Sequence, residues 1–461
     1  MNTVHMPEIG FRARYHRHEP PSFIQRTVYR CACSIRAVRC SDTSRITDFH
    51  SFIRVRYRFR ANDAMFGALF LCVCALWLGF AFAPKSGWAQ EDENVTLREN
   101  VPSVPEEITR TKLRDAREDG FSYLTEAWTF FGVDTNVFRS PHGLEESAAY
   151  VNTGAQVITN SRFKDDSSLT GRLRVDTTRY DGHDSANVGR FRLGGSYSRP
   201  LTENTALDID LRVRYRSNDA TDIFGESFER NFAYWAYDAG ATYLWDVTSK
   251  SLVGIGGEFT FKDYVETPGL NSLDWTQPGV NAYYRYRFGK RHYLRLAYWF
   301  EIQEFKEEPA SLADGTELPT NPDEKHRRHE VSARYSVPLG NKWTAHIEYD
   351  FERKKDLFED FESFDQHSIS GSVVFAATEN TRLEFDSEYT IKDFDKRLAD
   401  GDDRLNYDKL VLALTVEHAL RDYLSLYGTA GYYFRNSNKS EGTTFRDFEG
   451  AIFSVGASLF F

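Results

Sequence analysis

The chain has 461 residues and a net charge of -11, and 15% of its residues are aromatic although its mean hydropathy is only -0.53. All five cysteines lie before residue 75, which excludes a disulfide framework or a thiolate metal site in the rest of the chain. The large aromatic residues alternate with charged and small polar residues, and this alternation is typical of a sheet with one apolar and one polar face.

The first 64 residues carry many arginines but no lysine, and no helical or strand period persists in them. A nucleic-acid-binding arm or an organelle-targeting sequence has a similar composition. We interpret residues 1–64 instead as a disordered extension that is not native to the protein, with translation starting at Met65. The segment that follows is the reason for this interpretation.

Residues 65–89 predict a secretory signal peptide. A long apolar run follows Met65, and Gly87 and Ala89 are the small residues expected just before a cleavage site. A transmembrane anchor is the alternative, but the run is only marginally long enough to span a bilayer. Residues 90–125 are charged and interrupted by proline, so they predict a disordered periplasmic leader with a short helix over 106–118.

From residue 126 to the end, the chain repeats segments of alternating polarity that are separated by polar connections. Their length suits tilted strands that cross a membrane, for which about 9–11 residues are expected. We predict an all-β fold over residues 126–461, a transmembrane antiparallel up-and-down β-barrel of about sixteen strands. The strands are centred near residues 132, 154, 173, 193, 211, 237, 257, 283, 298, 333, 348, 371, 387, 412, 428 and 455.

The predicted connections alternate in length. Short turns such as 247–250 and 289–291 alternate with long polar loops such as 217–230 and 306–325. Because an even number of strands brings both ends of the chain to one rim, we expect the N- and C-termini of the barrel at the short-turn, periplasmic rim.

The strand near residue 211 indicates which face of the sheet meets lipid. Leu207, Ile209 and Leu211 share one face, whereas Arg212 and Arg214 lie on the other. An arginine that faced lipid at the membrane midplane would cost about 2–4 kcal/mol, so the charged face is predicted to line the lumen. A soluble sandwich or propeller is the alternative, but it leaves the signal peptide unexplained. Aromatic residues near strand ends suit the membrane interfaces: Trp128, Trp245, Trp275, Tyr293 and Trp343.

The predicted luminal charges separate into two walls. The basic wall, on strands 3 to 5 and 8 to 10, consists of Arg172, Arg174, Arg190, Arg192, Arg212, Arg214, Arg285, Arg287, Arg295 and Arg334. The acidic wall, on strands 11 and 13, consists of Glu348, Asp350, Glu352, Glu384, Asp386 and Glu388. Opposite walls would lay a transverse field across the lumen. Pairing of the same charges across neighbouring strands is an equally good interpretation.

The last strand carries a recognisable pattern. Ser454, Gly456, Leu459 and Phe461 occupy the four defined places of a motif that resembles the C-terminal assembly signal of bacterial outer-membrane β-barrels. Residues 131–138 resemble the opening strand of porin-like barrels and of barrels that accompany exopolysaccharide export. The resemblance implies a place in the bacterial outer membrane, contact with its lipid and lipopolysaccharide, and recognition by the barrel-assembly machinery. An edge strand of a soluble sandwich that ends in phenylalanine is the alternative.

These observations favour a porin-like channel for small polar or anionic solutes, because barrels of this size can enclose water. A plugged barrel that serves as a surface scaffold or binding protein is one alternative, and an accessory barrel in exopolysaccharide export is another. No serine, histidine and acid constellation can be aligned, so we do not expect an enzyme. We also expect no cofactor, no metal and no nucleic-acid partner, since no corresponding motif is present.

Overall fold

The structure is a computed structural model. It describes residues 120–138, 145–217, 233–265, 272–289, 291–399, 403–438 and 447–461. The predicted extension, the signal peptide and the leader up to residue 119, including its short helix, lie outside the described residues.

Sixteen strands follow one another within the described ranges, and each predicted strand centre falls inside one of them. They are β1 (Phe121–Asp134), β2 (Ala148–Arg162), β3 (Ser168–Tyr180), β4 (Val188–Thr202), β5 (Thr205–Arg216), β6 (Tyr234–Asp246), β7 (Ser251–Tyr264), β8 (Trp275–Arg287), β9 (Tyr293–Pro309), β10 (Asp323–Leu339), β11 (Trp343–Asp356), β12 (Phe364–Ala376), β13 (Thr381–Leu398), β14 (Arg404–Arg421), β15 (Leu424–Ser437) and β16 (Phe448–Phe460). Because β1 begins at Phe121, it takes in residues 121–125, which the sequence analysis assigned to the leader.

The strands form one closed antiparallel barrel in which each strand pairs with its neighbours in the sequence. The first and last strands close it, with β1 and β16 in register from the pair Glu126 and Phe460 to the pair Asp134 and Ile452. Closure leaves no unpaired sheet edge, which is the condition for placing strands in lipid. The predicted transmembrane up-and-down barrel is therefore confirmed.

The two rims differ in the length of their connections, as predicted. At one rim the connections are short, such as residues 203–204 between β4 and β5 and residues 247–250 between β6 and β7. At the other rim they are longer, such as residues 310–322 between β9 and β10. The start of β1 and the end of β16 lie at the short-turn rim. No helix in the part of the chain that the structure describes is long and apolar enough to cross a membrane.

The outer face of the barrel is apolar. Leu211 and Val455 on this face are 60% and 64% exposed, which a chain in water would rarely tolerate over a whole sheet. Their neighbours along the strand, Arg212 and Ser454, lie on the luminal face because successive side chains point to opposite sides.

The prediction of interfacial aromatic residues is only partly right. Trp245 and Trp343 are exposed on the outer face. Trp128 and Trp275 are buried on the luminal face instead, because they belong to the inward set of β1 and β8. Tyr293 is in register with the luminal Arg287, so it also belongs to the inward set.

Candidate functional site in the barrel lumen

One row of luminal side chains joins the predicted basic and acidic walls. In an antiparallel sheet, residues in register lie side by side on the same face. The row runs across β8 to β13 in the order Arg285, Arg295, Arg334, Glu348, Ser370, Glu388. Three arginines therefore precede two glutamates along one circumferential line.

The two walls meet between β10 and β11. Nη1 of Arg334 lies 3.6 Å from Oε2 of Glu348, which is longer than a hydrogen bond, and both side chains remain partly exposed. Further toward the long-loop rim, Nε of Arg328 donates a hydrogen bond to Oε1 of Glu352 at 2.8 Å. Opposite charges thus pair at this junction, tightly for Glu352 and loosely for Glu348.

Aromatic rings hold the middle arginine of the row. The guanidinium of Arg295 lies 4.7 Å from the ring centre of Tyr283 and 5.7 Å from that of Trp299. Cation–π contacts of this kind keep an arginine in place without cancelling its charge. The guanidinium of Arg295 therefore still contributes positive potential to the lumen.

On β3 and β4 two arginines of the basic wall share one buried carboxylate. Asp176 accepts a hydrogen bond from Nε of Arg174 at 2.9 Å and another from Nη1 of Arg190 at 3.1 Å, and all three side chains are buried. Arg172 donates to the side-chain oxygen of Gln156 at 2.9 Å. The buried cluster holds β3 and β4 together, whereas Arg172 is exposed to the lumen and keeps its charge, because its partner is a neutral amide.

The wall is more open on β5. Nε of Arg214 donates to Asp238 at 3.2 Å, and the Thr260 hydroxyl donates to the same carboxylate at 3.0 Å. Arg212 lies two residues before Arg214 on the same face of β5, further from the long-loop rim, and is exposed to the lumen. Arg287, at the short-turn end of β8, is likewise exposed. Together with Arg172 of β3, these two arginines are the exposed members of the basic wall.

The acidic strand β13 combines paired and accessible carboxylates. Nη2 of Arg382 donates to Oε2 of Glu384 at 3.0 Å. The Thr390 hydroxyl donates a long hydrogen bond of 3.4 Å to Oε1 of Glu388. Asp386, between the two glutamates on the same face, is in register with Ser372 of β12.

By strand alternation, all sixteen residues of the predicted walls lie on the luminal face. Arginines and carboxylates do pair with neighbours, as the alternative interpretation expected. Ion pairs within 4.0 Å involve Arg174, Arg190, Arg214, Arg334, Glu348, Glu352 and Glu384. The transverse field across the lumen remains a prediction, carried by the charges whose partners are loose or aromatic.

Sequence reasoning missed an apolar filling on the side of the lumen where the barrel closes. A first group, here the turn-end cluster, consists of Leu124, Trp128, Phe130, Ile158, Tyr427 and Phe460. The Trp128 indole donates to the side-chain oxygen of Asn152 at 2.8 Å, and the Phe130 and Tyr427 rings meet edge to face at 5.8 Å. This side of the lumen is packed like a protein core.

A second group, the loop-end cluster, lies toward the long-loop rim and consists of Val137, Ala148, Tyr150, Tyr180, Ala186, Val411, Ala413, Tyr433, Phe448 and Ile452. Val137 belongs to the β1–β2 connection and is fully buried. The Tyr433 hydroxyl donates to Oδ1 of Asp134 at 2.7 Å and to the main-chain oxygen of Asn136 at 3.0 Å. These contacts tie the start of the connection to the luminal wall.

A sequence signal for these clusters exists in β14. Its inward set includes Val411 and Ala413, so both faces of this strand are apolar where Leu410, Leu412 and Leu414 face lipid. A strand that is apolar on both faces indicates burial on both sides. The alternation of polarity identified only the lipid-facing residues of β14, and it did not predict that the inward-facing residues are buried as well.

The predicted assembly signal lies in the strand that closes the barrel. Gly456 is in register with Phe130, and a Cβ at Gly456 would lie 2.2 Å from Cδ1 of that ring. Ser454 belongs to the luminal set, whereas Leu459 and Phe461 are exposed on the outer face. The glycine is therefore required by packing, and recognition of these four residues by the assembly machinery remains a prediction.

The closed sheet, the apolar outer face and the charged lumen define the class, a transmembrane up-and-down β-barrel. In the parts of the chain that the structure describes, no three His, Cys, Asp or Glu side chains lie close enough together to hold a metal ion.

Comparisons with known proteins add little beyond the architecture. No protein-family model matches the chain, and no curated protein matches it. Among solved structures, OmpT of Vibrio cholerae is 12% identical, with 75% of this chain and 99% of that chain covered and a TM-score of 0.41. An anion-selective porin from Comamonas acidovorans is 12% identical, with coverages of 74% and 99% and a TM-score of 0.42. OccAB3 of Acinetobacter baumannii is 10% identical, with the same coverages and a TM-score of 0.42. Likeness at this level carries no argument about solutes, and the fold rests on the barrel's own closed sheet.

Proposed function

We propose that the protein is a channel of the bacterial outer membrane that passes small polar or anionic solutes. A sixteen-stranded barrel is wide enough to leave an aqueous passage. The predicted signal peptide and the apolar outer face support placement in the outer membrane, with the short-turn rim in the periplasm. The proposed function is the passive conduction of these solutes, without a catalytic role.

The observation that carries the proposal is the accessible part of the basic wall. Arg212 and Arg287 are exposed to the lumen, and Arg295 is held by aromatic rings with its charge uncancelled. Positive charges that line a low-dielectric passage raise the local concentration of anions. The lumen therefore favours anions on the side formed by β5 and by β8 to β10.

The experiment that tests the proposal is single-channel recording with the full-length protein purified from membranes of an expressing bacterium. Reversal potentials in asymmetric potassium chloride give the ratio of anion to cation permeability. A stable conductance with anion preference is the expected result. A folded, heat-modifiable barrel that passes no current contradicts the channel, and a cation preference contradicts the proposed selectivity.

A second function is favoured by the loop-end cluster. The buried Val137 and the hydrogen bonds from Tyr433 place part of the β1–β2 connection inside the barrel. A lumen that is partly filled in this way would suit a surface scaffold or an accessory barrel in polysaccharide export. An electrically silent barrel in the same recordings favours this second function.

The proposed partners follow from the same faces. The apolar outer surface would contact membrane lipid and lipopolysaccharide. The exposed Leu459 and Phe461 at the end of β16 would be available to the barrel-assembly machinery. Replacement of Phe461 by serine tests the proposed contact with the assembly machinery. The variant should accumulate unfolded in the periplasm, although it should still refold in detergent.

A further inference from the structure

A cavity of about 190 Å³ opens on the luminal face between β10 and β14. It is lined by Arg334, His346, Glu348, Ser370, Gly371, Ser372, Asp386, Ser387, Glu388, Val411 and Ala413. Arginine, carboxylates and aliphatic side chains thus surround one small space. This combination of charges of both signs with an apolar surface is not needed for a channel that only selects anions.

Small residues on β12 create the cavity. Ser370 and Ser372 both lie on the luminal face of this strand, in register with Glu348 and His346, so the middle strand carries little bulk there. The strands on either side carry long charged side chains, with Glu348 in register with Ser370 on one side and Glu388 on the other. A low floor between two charged strands forms a slot across the wall.

The two ends of the slot have opposite character. Arg334 lies at the β10 end, and the carboxylates of Asp386 and Glu388 lie on β13. Next to these carboxylates, Val411 and Ala413 are in register with Glu388 and Asp386 respectively. A solute in the slot would meet Arg334, loosely paired with Glu348, at one end, and carboxylates beside an aliphatic surface at the other.

Arg334 has donors to spare. Among the described residues, its one ion pair is the contact of 3.6 Å with Glu348. Its Nε atom is buried and donates no hydrogen bond to any of the described residues. A guanidinium presents five N–H donors in a planar fork that matches a carboxylate. The side chain is therefore suited to take a carboxylate from a solute.

We propose that this cavity binds a small zwitterion, an amino acid with a short aliphatic side chain. Arg334 would bind its carboxylate, Asp386 and Glu388 its ammonium group, and Val411 and Ala413 its alkyl group. The inference rests on the proposed channel, because a solute reaches the cavity only through a water-filled lumen. It deepens that function by adding a saturable site to the passage.

The size of the cavity supports this class of ligand. Pockets for drug-sized molecules span about 300–1,000 Å³, and this cavity of about 190 Å³ is smaller. A molecule such as L-valine carries both charges on adjacent groups and a compact side chain. Isobutyrate and isobutylamine keep the same alkyl group but carry only one of the two charges, so they are matched probes.

The experiment is isothermal titration of the full-length protein in detergent with L-valine, isobutyrate and isobutylamine. L-Valine is expected to bind saturably, about tenfold or more tighter than either single-charge probe, because each ion contributes a charge-assisted hydrogen bond. Equal affinity for isobutylamine and L-valine would overturn the proposal, since it would show only attraction of cations to carboxylates. Absence of saturable L-valine binding to the folded protein would also overturn it.

Variants separate the parts of the site. Arg334→Gln and Asp386→Asn should each weaken L-valine binding by about tenfold or more. Ser370→Leu should abolish it without changing any charge, because the new side chain fills the slot. Asp210→Asn is the control, since Asp210 is exposed on the luminal face of β5, outside the cavity, and its replacement should leave the affinity unchanged. Unchanged affinity in all three site variants would refute the assignment, with heat-modifiable migration confirming that each is folded.

Conductance recorded from the same preparations distinguishes the two proposals. A conducting barrel that does not bind L-valine overturns the zwitterion site and leaves the channel intact. A silent barrel that binds L-valine with the expected dependence on Arg334 overturns the channel and leaves the site intact.

Discussion

Arg334 and Glu348 face each other across β10 and β11 with Nη1 and Oε2 3.6 Å apart, and this contact marks the boundary between the basic and acidic sides of the lumen. Both side chains remain partly exposed, at 38% and 27%. A pair of this kind contributes at most about 1 kcal/mol to stability. Its main effect is therefore on the field that a solute meets.

The first prediction concerns this boundary. Glu348→Gln should leave the barrel folded and increase anion preference, because it removes a negative charge and releases Arg334 from its partner. The reversal potential in asymmetric salt measures the change. Arg334→Gln is the matched opposite and should shift the reversal potential toward cations. Shifts of the same sign in both variants would contradict the boundary.

The second prediction compares two neighbouring arginines of β5. Arg212→Gln should reduce anion preference more than Arg214→Gln, because Asp238 already neutralises Arg214 through hydrogen bonds of 3.1 and 3.2 Å. Arg212 is exposed to the lumen. Permeability ratios of the two variants, recorded under one salt gradient, make the comparison. A larger effect for Arg214 would show that paired charges dominate the lumen.

The third prediction concerns the buried cluster of β3 and β4. Asp176→Asn leaves Arg174 and Arg190 buried without their shared carboxylate, and should lower the free energy of unfolding by about 3–5 kcal/mol. Urea unfolding of the protein in lipid vesicles measures it. The control is Arg162→Gln, which removes the exposed pair with Asp166 at the rim and should have no measurable effect. Equal stability of the two variants would show that the cluster is not structural.

The fourth prediction concerns barrel closure. Gly456→Ala should destabilise the barrel by about 1–3 kcal/mol or more, because the added Cβ would lie 2.2 Å from Phe130 and 2.4 Å from the main-chain oxygen of Thr129. Gly428→Ala on the outer face is the control, since nothing lies within 4 Å of a Cβ there. Heat-modifiable migration and protease resistance report the folded fraction. The closure argument fails if both variants behave like the native protein.

The fifth prediction tests which face meets lipid. Leu211→Arg near the middle of β5 should lower the free energy of unfolding in vesicles by about 2–4 kcal/mol. The adjacent substitution Asp210→Arg points into the lumen and should cost far less. Loss of stability in the second variant but not in the first would reverse the assignment of the two faces.

Period-two alternation made much of the fold predictable. The sequence of each strand indicates which residues face lipid, because a charged side chain in lipid costs free energy. In β5, for example, Leu211 faces lipid and Arg212 faces the lumen. The alternation of short and long connections then placed both ends of the barrel at one rim. The sixteen strands and the closed up-and-down topology follow from these local signals.

The partners of the luminal charges could not be predicted in the same way. Alternation says that Asp176 and Arg190 point inward, but only the register between β3 and β4 brings their side chains within 3.1 Å. If the register between these strands shifted by two residues, every side chain would stay on its face of the sheet but would meet a different cross-strand neighbour. The loop-end cluster is a further example, since it joins Val137, which follows β1, to Val411 of β14 although β15 and β16 lie between these two strands.

The sequence by itself predicted about sixteen strands, the two faces and the rim at which the barrel begins and ends, because these depend on the polarity of neighbours along the chain. Only the tertiary structure decided which arginines are neutralised, where apolar groups fill the lumen and where a cavity remains. Those features depend on side chains from distant strands that closure between β1 and β16 brings together. Gly456 illustrates both kinds of information. The sequence shows it as a small residue in a recognisable pattern, and the tertiary structure shows that only glycine fits beside Phe130.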